Sequence, residues 1–182
     1  MSLLKILTPL FPSRLAGWRV FLLSAALGTA LLACSDDSAK HPVNLGDPAP
    51  AFRSTDAAGT TASFPDDFTG KPLVIRFWAD WCKYCESEMQ AIEQVYQRHQ
   101  QKGLRILAIN TGQDARTVTA YIQKIGVSYP ALLDEQSNIA RSYGVVGLPT
   151  TFFVDAGGVI RAKIVGEADE ATFERHAVKL IQ

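Results

Sequence analysis

A strand-sized apolar run that leads straight into a pair of cysteines constrains this chain more than any other feature. Leu73-Val74-Ile75-Arg76-Phe77-Trp78 is short, β-rich and almost continuously apolar, the pattern of a strand covered on both faces. Shortly after it, Cys82-Lys83-Tyr84-Cys85 places cysteines at i and i+3. From Lys83 to about Gln101, Met89, Ile92, Val95 and Tyr96 recur at helical spacing in register with Cys85, until Gly103 stops the pattern. A buried strand feeding a helix is half of a crossover unit, which commits the chain to a sheet flanked by helices.

The rest of the chain extends that alternation. Leu104–Asn110 reads as a strand, and Asp114 as the cap of a helix reaching about Ile125, with Val118, Tyr121, Ile122 and Ile125 on one face. Tyr129–Leu133 reads as a strand and Glu135–Tyr143 as a short helix. Thr150–Val154 and Val159–Val165 flank Asp155-Ala156-Gly157-Gly158 as a hairpin, before a last helix over Glu170–Ile181 with Phe173, Ala177 and Leu180 inward. Upstream, Ala51–Ser54 and Thr60–Ser63 form a second hairpin around Asp56–Gly59. The expected architecture is α/β, a parallel core with an antiparallel edge. Lys+Arg and Asp+Glu are both 18 in 182 residues, so no net field draws nucleic acid.

The N-terminus is a different kind of sequence. Lys5, Arg14 and Arg19 are its only charges before Asp36, and Val20–Ala33 is apolar with small residues. That stretch is shorter than the roughly 20 residues a comfortable membrane span needs. A basic start, a short apolar region and small residues at its end describe an export signal over 1–33. A retained signal anchor and a buried core helix are the alternatives. Leu31-Leu32-Ala33-Cys34 resembles the lipobox of bacterial lipoproteins, with Leu32 an unusual occupant of its position. The resemblance implies lipidation of Cys34, and Ser35 leans towards the outer membrane where two membranes exist. Lipidation also explains an odd cysteine in an exported protein. Residues 34–47, polar with Pro and Gly, read as a flexible lipid-anchored tether, and 48–182 as the folded domain.

The cysteine pair carries the chemistry. Cysteines at i and i+3 on a first helical turn form or open a disulfide with little backbone movement. The positive end of the helix stabilises a thiolate there, and Lys83 adds a cation beside it. Cys82, nearer the tip, is the expected nucleophile and Cys85 the resolving thiol. An inert structural disulfide would constrain little, because its loop is so small. A zinc site lacks ligands, since His41, His99 and His176 stand at no ligand spacing from the pair. His99 reads as a surface residue or a favourable cation near a helix end, and His176 as exposed. Trp78 and Trp81 read as packing and partner-contact residues, and Asn110-Thr111-Gly112-Gln113 as a loop without a phosphate-binding pattern.

Phe77-Trp78-Ala79-Asp80-Trp81-Cys82-Lys83-Tyr84-Cys85 resembles the thioredoxin active-site segment. Ala49-Pro50-Ala51-Phe52, Gly70-Lys71-Pro72 and Cys85-Glu86-Ser87-Glu88 resemble the TlpA/ResA-like branch, and Gly147-Leu148-Pro149-Thr150 its cis-proline loop. The similarity runs from about Leu45 to the C-terminus. It implies a thioredoxin-like fold, a central mixed sheet flanked by helices, with an N-terminal hairpin and a central αβ insertion. It also implies that Pro149 is cis and faces the pair, with Trp81, Lys83, Tyr84 and Leu148 contacting partners. Glu88 corresponds to a glutamate that tunes the thiols in this branch. On the edge of the helix's buried stripe, such a carboxyl would be partly desolvated and able to exchange protons with the pair. Arg76 departs from the pattern, since thioredoxins place an acid there and this branch often an uncharged polar residue; it either pairs with Glu88 or sends its head to solvent. Lys83-Tyr84 replaces a dipeptide that usually contains proline.

The expected function is a membrane-anchored, extracytoplasmic protein-disulfide oxidoreductase, working as a reductase in a setting such as cytochrome c maturation. Its partners would be protein thiols and disulfides and a membrane thiol-transfer electron donor. A monomer without metal or diffusible cofactor is expected. A peroxiredoxin-like peroxidase and a non-enzymatic copper chaperone are the rivals. Peroxide consumption would reveal the first and a copper titration the second.

Overall fold

All six residues of β3 (Leu73–Trp78) are buried, and alternation along it divides them between two cores. Val74, Arg76 and Trp78 point to one face; Leu73, Ile75 and Phe77 point to the other. The computed structural model describes residues 43–182. In them β3 is followed by α1 (Cys85–His99), β4 (Arg105–Thr111), α2 (Ala115–Ile125), β5 (Ala131–Asp134), α3 (Asn138–Ser142), β6 (Thr150–Val154), β7 (Ile160–Val165) and α4 (Glu170–Leu180), and is preceded by the hairpin of β1 (Phe52–Thr55) and β2 (Thr61–Phe64). The sheet order is β5-β4-β3-β6-β7. β3, β4 and β5 run parallel, whereas β6 is antiparallel to both β3 and β7. The central αβ unit, α2 with β5, thus supplies one edge strand. This is a thioredoxin-like fold.

The two faces are covered differently. Over Val74 and Trp78 lie Met89, Ile92 and Val95 of α1, Val118 and Tyr121 of α2, and Phe173 and Ala177 of α4. Over Ile75 and Phe77 lie Ile139 of α3 and Tyr143 at its C-terminal cap, with Phe52 and Phe64 of the N-terminal hairpin. That hairpin, a separate two-stranded sheet, bridges to β5 through Asp56 and Leu132. Tyr143 donates its hydroxyl to the Pro50 carbonyl at 2.8 Å, tying the chain ahead of β1 to α3. Tyr143→Phe removes this donor and strands a carbonyl, so chemical denaturation should show a loss of about 1 kcal/mol.

Several boundaries differ from those read in the sequence. β5 begins at Ala131, not Tyr129, because Pro130 has no N–H to give a ladder; its carbonyl accepts from Ala108 instead. The short helix is confined to Asn138–Ser142, since the Asp134 carboxylate takes the Ile139 and Ala140 N–H groups and turns the chain first. The expected tether reached Asp47, but Val43 is buried in the core beside the hairpin. Gly46 and Asp47 also exchange backbone hydrogen bonds with Ile160 of β7. Cys34, the signal over 1–33 and the tether up to residue 42 lie outside the described residues.

Helix α2 follows its sequence signals at both ends. The Asp114 carboxylate accepts from the Thr117 N–H at 2.8 Å, and Gly126, at φ 70°, closes the other end in the left-handed region that favours glycine. Asp169 caps α4 in the same way through Thr172. These hydrogen bonds hold both carboxyls below their ordinary 3.8. A depressed folded-state value contributes stability above the unfolded value that is lost as pH falls through the folded one. Asn also caps helices, so Asp114→Asn with Asp169→Asn should flatten the acid limb of stability while α2 and α4 persist. Urea titrations at a series of pH values below 5, with circular dichroism, check this.

Candidate active site

The end of β3 and the start of β6 lie side by side, with Phe77 opposite Thr150 in the ladder. The segment leaving β3 and the loop entering β6 therefore share one end of the sheet. Cys82 and Cys85 stand in the first, joined as a disulfide with Cα atoms 5.4 Å apart. Pro149 ends the second, and the Leu148–Pro149 peptide bond is cis, as the resemblance implies. A second cis bond, Phe64–Pro65, had no sequence signal.

The helix begins later than its periodicity suggests. Cys85 is its first residue, Tyr84 stands at the cap without a side-chain cap bond, and Cys82 lies in the preceding turn, its N–H bonded to the Ala79 carbonyl. Cys85 is inaccessible and Cys82 only 6% exposed. Cys82 thus meets solvent first, with the N-terminus of α1 behind it.

The surroundings are apolar and open. Trp81 is 69% exposed, Tyr84 45% and Val146 93%, while Leu148 packs part-buried against the core that holds both cysteines. Lys83 is exposed and places its ammonium over the Tyr84 ring, 5.2 Å from the centroid. Among the described residues, no three of His, Cys, Asp and Glu converge as metal ligands would.

Glu88 is neither at the edge of the buried stripe nor partly wet. Its side chain is 2% exposed, and both oxygens accept from Arg76, Oε1 from Nη1 and Oε2 from Nη2, each at 2.9 Å. Arg76 is itself inaccessible and also donates to Thr151 Oγ1 at 3.0 Å. Of the two fates open to Arg76, pairing is the one realised. Above this pair, Tyr129 donates its hydroxyl to the Met89 carbonyl, and burial pushes its phenol far up.

Sequence reading missed a latch on the active-site turn. Gln113 Oε1 accepts from the Asp80 N–H and from Asn110 Nδ2, both at 2.9 Å, and its amide donates to the Asp80 carboxylate. A glutamine after β4 thereby holds the turn just ahead of Trp81 and Cys82. The sequence distance between Asp80 and Gln113 hides this contact. Neither His99 nor His176 lies on the surface, one of the two readings open to His99 and the one made for His176. His99 is 9% exposed and bonds Glu174 at 2.6 Å, and His176 stacks part-buried on Phe153.

Residues 45–163 match the AhpC/TSA family. The thiol-disulfide oxidoreductase ResA of Geobacillus thermodenitrificans is 34% identical over 157 residues, 86% of this chain and 89% of that protein. ResA of Bacillus cereus is 30% identical, over 88% of this chain and 92% of its own length. Among solved structures, a thiol:disulfide interchange protein of the thioredoxin family from Chlorobium tepidum superposes with a TM-score of 0.68 at 26% identity. That likeness covers 76% of this chain and 99% of that one. With a cysteine pair bridged at the mouth of such a fold, the chain belongs to the AhpC/TSA family and is a ResA-like thiol–disulfide oxidoreductase.

Proposed function

We propose that this protein reduces disulfides of partner proteins outside the cytoplasmic membrane, held there by lipidated Cys34. The observation that carries the reading is an all but buried Cys82–Cys85 disulfide with exposed Trp81 and Tyr84 in its own segment and exposed Val146 in the loop that ends at Pro149. A small soluble oxidant needs no such exposed apolar side chains, whereas an extended partner segment has apolar surface to lie on. The Cys82 thiolate attacks one sulfur of the partner's disulfide, forming a mixed disulfide and releasing the first partner thiolate. Cys85 then attacks Cys82, re-forming the internal disulfide and releasing the second. Two electrons pass to the partner. A membrane thiol-transfer protein returns them by the same exchange in reverse, so no diffusible cofactor enters. Lys83, turned over Tyr84, and Leu148, beside Pro149, complete the partner surface.

The equilibrium potential of the Cys82–Cys85 pair tests the direction. The full chain is equilibrated in redox buffers, alkylated and weighed. A value near that of thioredoxin, about −270 mV, supports a reductase fed by a membrane donor. A value near that of DsbA, about −120 mV, makes it an oxidant and overturns the reading. Metabolic labelling with a fatty acid, lost in Cys34→Ala, tests the anchor separately.

A further inference from the structure

We propose that Arg76 is a positioning residue that converts Glu88 from a proton carrier into a fixed anchor for the first turn of α1. The inference rests on exchange at Cys82 and Cys85 and concerns where the proton of Cys85 goes.

The geometry argues it. Each Glu88 oxygen accepts a guanidinium N–H at 2.9 Å. Arg76 has donors only and keeps its charge in proteins. A proton taken up by Glu88 would turn an O–H towards a donor that cannot accept it, and would break the bidentate contact in the core. Side-chain exposures of 0% and 2% keep bulk solvent from taking over the lost bond. Thr151 fixes the guanidinium from the β6 side at 3.0 Å, so it cannot swing away. Glu88 lies one helical turn beyond Cys85, so anchoring it also fixes the depth of the resolving thiol.

Among the described residues, the other carboxylates near the pair are engaged elsewhere: Asp80, in the turn before Cys82, accepts from the Gln113 amide. On α1 itself, Glu86 turns outwards to Lys124 and Glu93 to the Ser128 N–H and hydroxyl. α2 offers Tyr121 and the chain before β5 offers Tyr129, and burial raises both phenols above their ordinary 10.0. α4 contributes Phe173 and Ala177 to this face, neither of which titrates. During resolution the Cys85–Cys82 bond forms and the bond from Cys82 to the partner sulfur breaks. The proton that Cys85 gives up then ends on the departing partner thiolate.

The test is the pH dependence, from 5 to 9, of peptide-disulfide reduction by the full chain. Its forms are the unsubstituted chain, Arg76→Gln, Arg76→Lys and Arg76→Gln with Glu88→Gln. The Arg76→Gln profile should gain an ionisation that the double variant lacks, and Arg76→Lys, which keeps the charge, should remove it again. The unsubstituted chain should show none assignable to Glu88. An Arg76→Gln profile identical to that of the double variant overturns the proposal. Because Arg76→Gln is expected to be destabilised, carbon-13 NMR of the Glu88 carboxyl in the unsubstituted chain provides a second measurement. A resonance that stays fixed over this range in both redox states supports the proposal; one that moves with the cysteines overturns it. Failure of the functional reading is distinct from either, since it would abolish reduction in every form.

Discussion

Arg76→Gln is expected to cost this domain about 3–5 kcal/mol, because it leaves the Glu88 carboxylate buried and uncompensated. Domains of this size are stable by about 5–15 kcal/mol, so the loss takes a large share of the total. Glu88→Gln should cost a similar amount by stranding the guanidinium. Replacing both, as Arg76→Met with Glu88→Leu, removes the two desolvation penalties together and should restore stability to near or above the starting value. The contrast between singles and double distinguishes a buried ion pair from ordinary packing, for which losses would accumulate. Urea denaturation of the four forms measures it. A single substitution costing under about 1 kcal/mol would fit a solvated surface pair and contradict the geometry.

Cys82→Ser should reduce exchange with a peptide disulfide to the rate of buffer alone. The reacting species is a thiolate, and a serine hydroxyl in the same turn neither ionises near neutral pH nor attacks sulfur. Cys85→Ser should fail differently. Its first step remains intact, so the partner stays attached through Cys82 and turnover stops after one event. A stopped assay with mass readout separates the two failures.

Much of this was legible in the sequence where the signal is local. β3 carries its own burial pattern, α2 its Asp114 cap and Gly126 stop, and β6–β7 their Asp155–Gly158 turn. The cysteine pair and Pro149 were found by motif and order. What escaped depends mostly on residues distant in the chain. Periodicity placed the cysteines on a helix, yet the bond from the Cys85 N–H to the Cys82 carbonyl makes Cys82 part of the turn before it. The sequence left Arg76 two fates, pairing with Glu88 or reaching solvent, and only the packing of α1 decides for the pair. His99 reads as a surface residue until Glu174, on the last helix, is laid beside it. Gln113 and Val146 carry no motif at all; one is recognised by the turn it latches, the other by its exposure.

The central claim is that Cys82 is the attacking sulfur in exchange with a partner disulfide. The most direct test incubates the full Cys85→Ser chain with a peptide disulfide, quenches with acid, and maps the adduct by mass spectrometry of the digest. The account predicts half of the peptide joined to Cys82. A digest in which Cys82 carries no peptide would contradict it.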